Sequence, residues 1–384
     1  MDFGIFLRTR YGQLILLSCG IFAILSVLII PSYFIAVRPK RGTTEWMRRI
    51  DAPKFTAMAV QKLRWSDIAW VMLSSFCAAM LRLSGYLLRY LRRGWLQAIS
   101  QHFDSLVWQR LIPCAIMSAL LYLLLRSMID QPLPAICGAL LGGMMQMENY
   151  PAAIIVVLSF IFLWRFVAAD VHMSLFAHSV LLFLSLVCYG VALLRYWTLI
   201  WLAPIYLAAY IFMQIYRWRN HSERGVALAI SLLLLFFMAV GAVVCAWVYY
   251  CYRYNQWQHV LNLQQFWDVM SVKFINRVYC LIDLKHPLTV IYAEDIILLF
   301  IGGAAFVPVL HGAIARRDSF CLALLALIPS FVLMWLLSGT YLMVLILIFA
   351  LTWVFERLNA REYPSLVIIF TVLTVIGFLA EYYI

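Results

Sequence analysis

KLRWSDIAWVMLSSFCAAMLRLSG, Lys62 to Gly85, opens with two cations, reaches one acid at Asp67, and then runs without a formal charge to Arg82. An uncharged run of this kind, lengthened by the apolar residues on either side, approaches the ~20 residues needed to cross a bilayer as a helix. Similar runs recur along the whole chain. Of 384 residues, 66% are hydrophobic and 12% charged, too little polar surface to cover a water-soluble fold of this length. The runs are too long and continuous for barrel strands, and lipid demands internally paired backbone, so helices are expected.

Twelve windows read as helices: 14–37, 67–88, 111–127, 132–147, 151–168, 174–194, 197–216, 226–250, 289–312, 319–337, 340–355 and 364–383. Pro151 and Pro364 open two of them, and Gly339 separates two others. The expected fold is therefore all-α: a polytopic transmembrane helix bundle of about 11–12 spans. Residues 1–66 form an extra N-terminal helix and a basic connector. Residues 67–250 form the core helices, with a first external loop at 88–110. Residues 251–288 form an external amphipathic segment, and 289–384 the C-terminal spans. The run at 14–37 lacks a convincing small-residue cleavage site and is read as a retained helix.

The net charge of +12 follows the positive-inside pattern, because Lys and Arg gather at the ends of apolar runs. No aromatic and basic repeat suits nucleic acid, which is not expected as a partner. The nine Cys are scattered, without CxxC or zinc spacing. The connector 38–64 holds eight basic residues against Glu45 and Asp51, which makes it cytoplasmic. Alternation then puts Arg126, Arg165, Arg217, Arg316 and Arg357 on the cytoplasmic side. It puts 88–110, the MENYP stretch and 251–287 outside, in an integral membrane protein of a bacterial inner membrane.

Both long external connectors have amphipathic spacing. In the first, Leu88, Leu91, Trp95, Ile99, His102 and Leu106 recur at helical intervals. In the second, Val260, Leu263, Phe266, Trp267, Met270 and Phe274 do the same. Two amphipathic interfacial helices are therefore expected on the outer face. Cys251 and Cys280 share the second connector, where a periplasmic setting would allow a disulfide.

Ionisable groups near lipid are costly and tend to be functional. Asp104 is the one acid in the first external connector, a candidate general base or metal ligand; its bland alternative is an exposed carboxylate on a polar face. Glu148 is a second candidate acid, with helix-end solvation as its alternative. Arg89, Arg92, Arg93, Arg110, Arg195, Lys273 and Arg277 would surround one outer cavity and suit a membrane-embedded phosphate. Their alternative is contact with anionic headgroups. Arg82, near the outer end of its run, either snorkels or joins that cavity. Asp67, following Ser66, is expected to cap a helix start.

The segment KLRWSDIAWVMLSSFCAAMLRLSG resembles the opening of GT-C class membrane glycosyltransferases, the protein O-mannosyltransferase relatives, with Arg82-Leu83 where that family places Arg-Leu. WQRLIPCAIMSALLYLLLRSM is similar to the family's second helix, and SGTYLMVLILIFALTWVFERL to a late one. The resemblance covers most of 62–384. It implies a polyprenyl-phosphate sugar donor, inversion at the anomeric carbon, an acid of the first external loop as base, and often a divalent cation such as Mg or Mn. Asp104 falls in the corresponding loop and Glu148 in the next external one. The family's acidic pair after the first core helix is absent here, and Thr340-Tyr341 stands for its Arg-Tyr.

The expected function is transfer of a sugar from a polyprenyl phosphate to an envelope glycan, lipid or protein. A bound phosphate leaving group needs cations, and the acceptor hydroxyl needs a base. The alternatives are an envelope polysaccharide polymerase or lipid-linked sugar flippase, and a non-catalytic assembly subunit that uses the connectors to bind a membrane protein partner.

Overall fold

Prolines open the helices of this chain, where the missing N–H costs nothing. In the computed structural model Pro132 and Pro364 are the first residues of their helices, and Pro113 and Pro151 the second. The structure describes residues 65–91, 106–129, 131–144, 150–168, 175–195, 251–259, 262–268, 305–314, 343–359 and 363–383, with isolated positions between 199 and 328. Among these the regular structure is helical throughout. The main helices are α1 (Trp65–Leu91), α2 (Ile112–Met128), α3 (Pro132–Met144), α4 (Tyr150–Ala168), α5 (Leu175–Arg195), α6 (Met343–Asn359) and α7 (Pro364–Tyr383).

Each of these seven meets a window read from the sequence, with ends shifted by a few residues. α1 runs three residues beyond the expected 88, and a π-helical turn, Val107–Leu111, leads directly into α2. A further apolar helix spans Ala305–Ile314. The first window, 14–37, and most of 197–216 and 226–250 lie outside the described residues. Two described helices, Trp65–Leu88 and Val107–Met128, are long and apolar enough to cross a membrane.

α3 is the hub: it packs against α1, α2, α6 and α7, while α4 packs on α2 and α5. Its sequence explains why. In PLPAICGALLGGM, Gly138 and Gly142 are four residues apart, as are Ala139 and Gly143, and all are buried. Small residues at this spacing remove the side-chain thickness between helices. A Cβ at Gly138 would collide with Thr352 Oγ1 of α6 and Leu125 of α2. One at Gly142 would collide with Leu121 of α2, and one at Gly143 would meet Ser118 Cβ at 2.8 Å and Ala78 Cβ at 3.3 Å. Three neighbours thus approach α3 through positions that only glycine permits.

The outer helices turn large apolar side chains outward, unlike those of a water-soluble protein. Along α1 the buried stripe is Asp67, Ser74, Ala78 and Arg82, whereas the outward stripe is Ile68, Met72, Phe76 and Met80. Met72 is 68% and Phe76 61% exposed. α7 repeats the pattern: Thr371 and Thr374 face inward, while Ile368, Val372 and Ile376 face outward. α5 buries Ser185 among Leu182, Leu186 and Tyr189, and still exposes Phe183, Leu184, Val187 and Val191. Water would select the opposite arrangement.

Ser74, Thr371 and Thr374 donate back to carbonyls of their own helices, whereas Ser185 joins two helices. Ser159 of α4 donates to the Ser185 carbonyl at 2.7 Å, and Ser185 returns a bond to the Ser159 carbonyl at 2.9 Å. Ser159 Oγ also lies 2.7 Å from the Tyr206 hydroxyl.

Gly142→Leu is expected to lower thermal stability of the detergent-solubilised chain by about 1–3 kcal/mol, because Leu121 has no room to retreat. Val372→Leu on the outward stripe of α7 is expected to stay within about 0.5 kcal/mol of the wild type. Equal stability for the two variants would contradict the hub role of α3.

Candidate functional site

Two charged centres lie inside the bundle, one near each end. The first is built by α1 and α2. Asp67, in the first turn of α1, is buried against the last turn of α2, where its Oδ1 accepts from Arg126 Nε at 3.0 Å and from the Tyr122 hydroxyl at 3.0 Å. Arg126 Nη1 also donates to the Ile129 carbonyl at 2.9 Å, closing the end of α2 as the chain leaves the helix. The sequence suggested a helix cap for Asp67 and placed Arg126 on the cytoplasmic side, without linking them. The two form an interhelical ion pair in the interior. The same end of the bundle holds two further links between elements: Trp164 Nε1 donates to the Ser127 carbonyl at 3.2 Å, and Asn359 donates to Gln131.

The second centre surrounds the C-terminus of α3. The last carbonyls of a helix have no partner within it and carry partial negative charge. Arg82, 0% exposed, donates through Nη1 to the Met144 carbonyl. Cys114 Sγ donates to the Gly143 carbonyl at 2.9 Å. Two side chains from two other helices therefore cap α3. The Arg82 guanidinium also lies 5.7 Å from the centre of the Tyr86 ring, a cation–π distance. Of the two fates the sequence left open for Arg82, snorkelling is excluded: the side chain is buried against the end of α3.

Successive helices reverse direction, so the C-terminal ends of α1, α3 and α5 and the N-terminal ends of α2 and α4 share the Arg82 end. Arg89 falls in the last helical turns of α1, and Arg195 is the last residue of α5. Arg110, in the π-helical turn, is exposed, as is the indole of Trp108. Four of the predicted phosphate-binding cations are thereby placed at one end. Asp104, Glu148, Arg92, Arg93, Lys273 and Arg277 lie outside the described residues. Among the described residues no three His, Cys, Asp or Glu side chains come together as a metal site. The acids on which the divalent-cation expectation rests, Asp104 and Glu148, are not among them. Cys251 is buried, and Cys280 lies outside the described residues.

Sequence reasoning missed the Asp67–Tyr122–Arg126 cluster and the glycine stripe of α3. A signal existed for each. The GxxxG spacing at Gly138 and Gly142 is visible in the chain, and Asp67 and Arg126 are opposite charges at adjacent ends of consecutive helices. No family model, curated protein or solved structure matches this chain.

Removing one partner of a buried ion pair strands the other charge and costs about 3–5 kcal/mol. Asp67→Asn and Arg126→Gln are each expected to reduce thermal stability strongly in detergent. The double variant is expected to be no less stable than the worse single variant, since the second change removes the stranded charge. Additive losses in this double-mutant cycle would show that the pair is not coupled.

Proposed function

We propose that the chain is an integral membrane protein whose Arg82 end recognises a lipid-linked phosphate, and that it transfers the attached sugar to an envelope acceptor. The membrane placement is supported by the apolar outward faces of α1, α5 and α7 together with the two helices long enough to span. Lipid tails accept outward Met72, Phe76 and Val372 without cost, while water does not.

The observation that carries the site is the sharing of one end by Arg82, Arg89, Arg110 and Arg195. The connectors that contain Asp104 and Glu148 depart from that same end: one joins α1 to the turn before α2, and the other joins α3 to α4. Cations of this kind complement a phosphate leaving group, and a carboxylate within reach of the acceptor hydroxyl supplies the base. On this proposal Asp104 is the base and Glu148 the second acid. Arg110, exposed at the start of the α2 element, meets the phosphate. Arg82 sets the position of α3 and so of the connector that follows it. A divalent cation, Mg or Mn, would be held by the same two acids.

One observation favours a second proposal, a non-catalytic assembly subunit. Arg82 already engages the α3 terminus and the Tyr86 ring, as a purely structural residue would.

Turnover of radiolabelled polyprenyl-phosphate sugars by the purified protein separates the two. The transferase proposal expects labelled product, and a drop of about 100-fold or more for Asp104→Asn. Equal turnover would remove Asp104 as the base. The absence of product with every donor would favour the assembly subunit.

A further inference from the structure

Val240 and Val244 are helical and outward, and the helical turn at 251–253 ends at a defined stop. The Gln256 N–H donates to the Cys251 carbonyl at 2.8 Å, and the Asn255 N–H to the Tyr252 carbonyl at 3.2 Å. Asn255 has φ 52°, the left-handed conformation that closes a helix in this way. A tight turn, Trp257–His259, follows. Asn262 then starts a new helix over 263–268: its side chain accepts from the Gln265 N–H at 3.1 Å, and its carbonyl from the Phe266 N–H at 3.1 Å. Phe266 meets Trp247 edge-on, with ring centroids 5.1 Å apart, which folds the new helix back onto the end of the old one.

That anchoring leaves a particular set of side chains outside. Leu263 is 81% and Trp267 71% exposed, one helical turn apart on the same face. Tyr252, Tyr254 and Trp257 are exposed as well. Within about two turns the outward residues change from valines to rings that carry a hydroxyl or an indole N–H. This is the change expected where a chain passes from hydrocarbon into the headgroup layer. Residues 251–287 carry four basic side chains, Arg253, Lys273, Arg277 and Lys285, against two acids, Asp268 and Asp283.

We propose that residues 252–268 dock in the headgroup layer of a phospholipid bilayer, with Leu263 and Trp267 as the inserted pair. The capped stop turns the chain out of the hydrocarbon. The Phe266–Trp247 contact holds the second helix at that depth. Within 252–268 Arg253 is matched by Asp268, and the basic excess that favours anionic headgroups follows in sequence at Lys273, Arg277 and Lys285. This inference rests on the membrane placement and not on the transferase: a chain without turnover would dock in the same way.

The test places the photo-crosslinking residue p-benzoylphenylalanine at Leu263 or at Trp267 in the full chain. Each variant is reconstituted into vesicles of phosphatidylcholine and phosphatidylglycerol and irradiated, and its peptides are weighed. A mass increase of one phospholipid on the labelled peptide is expected at both positions. The absence of that adduct at either one would overturn the inference, whether the label instead joins a second copy, another part of the same chain, or nothing.

Discussion

Helices surrounded by lipid gain little by burying leucine against leucine, because the tails outside are equally apolar. What holds them together must be close packing and satisfied polar groups. In this chain both requirements meet on α3. Its glycines admit Thr352, Leu121, Leu125 and Ser118 to within contact of the backbone. With side chains in their place, α2 and α6 would be pushed outward. Its C-terminal carbonyls would lose their alignment with Arg82 and Cys114, and the helix ends that surround them would shift.

On the proposed membrane placement, the two buried charged centres follow from the same solvent. An arginine in the interior needs acceptors, and a helix C-terminus offers carbonyls without partners. Arg82 and the end of α3 answer each other's requirement. At the opposite end Asp67 and Arg126 do so as an ion pair, with the Tyr122 hydroxyl as an additional donor. These links tie α1 to α2 at one end and to α3 at the other, so α1 is fixed along its length while its outer stripe stays apolar. The Arg82 end is the one from which the acid-bearing connectors depart. On the proposed function that end is the place of the chemistry, with Arg82 in a positioning role.

Much of the helical layout was legible in the chain. Apolar runs, two of them opened by Pro151 and Pro364, marked helices to within a few residues, since proline at a helix start is a local signal. The direction of burial was less legible. Ser74, Ala78 and Arg82 share a face of α1 by spacing alone, but periodicity does not say which face meets lipid. The pairing of Asp67 with Arg126 was hidden for a different reason. It joins residues far apart in sequence, and each had an adequate local explanation, one as a cap and the other as a topological charge. Of the proposed chemistry, Asp104 and Glu148 were selected by their connectors alone, and the described structure reaches only the helix ends on either side of them.

The central claim is that a bilayer surrounds the outward stripe of α1. The most direct measurement is hydroxyl-radical footprinting of the unmodified chain in lipid nanodiscs, read by mass spectrometry at Met72 and Met80. Radicals formed in water oxidise an accessible methionine readily. Both side chains are exposed at the protein surface. The account predicts that they nevertheless remain unoxidised in nanodiscs and become oxidised once the chain is unfolded. Oxidation of Met72 and Met80 in the folded protein at the unfolded rate would place α1 in water and contradict the account.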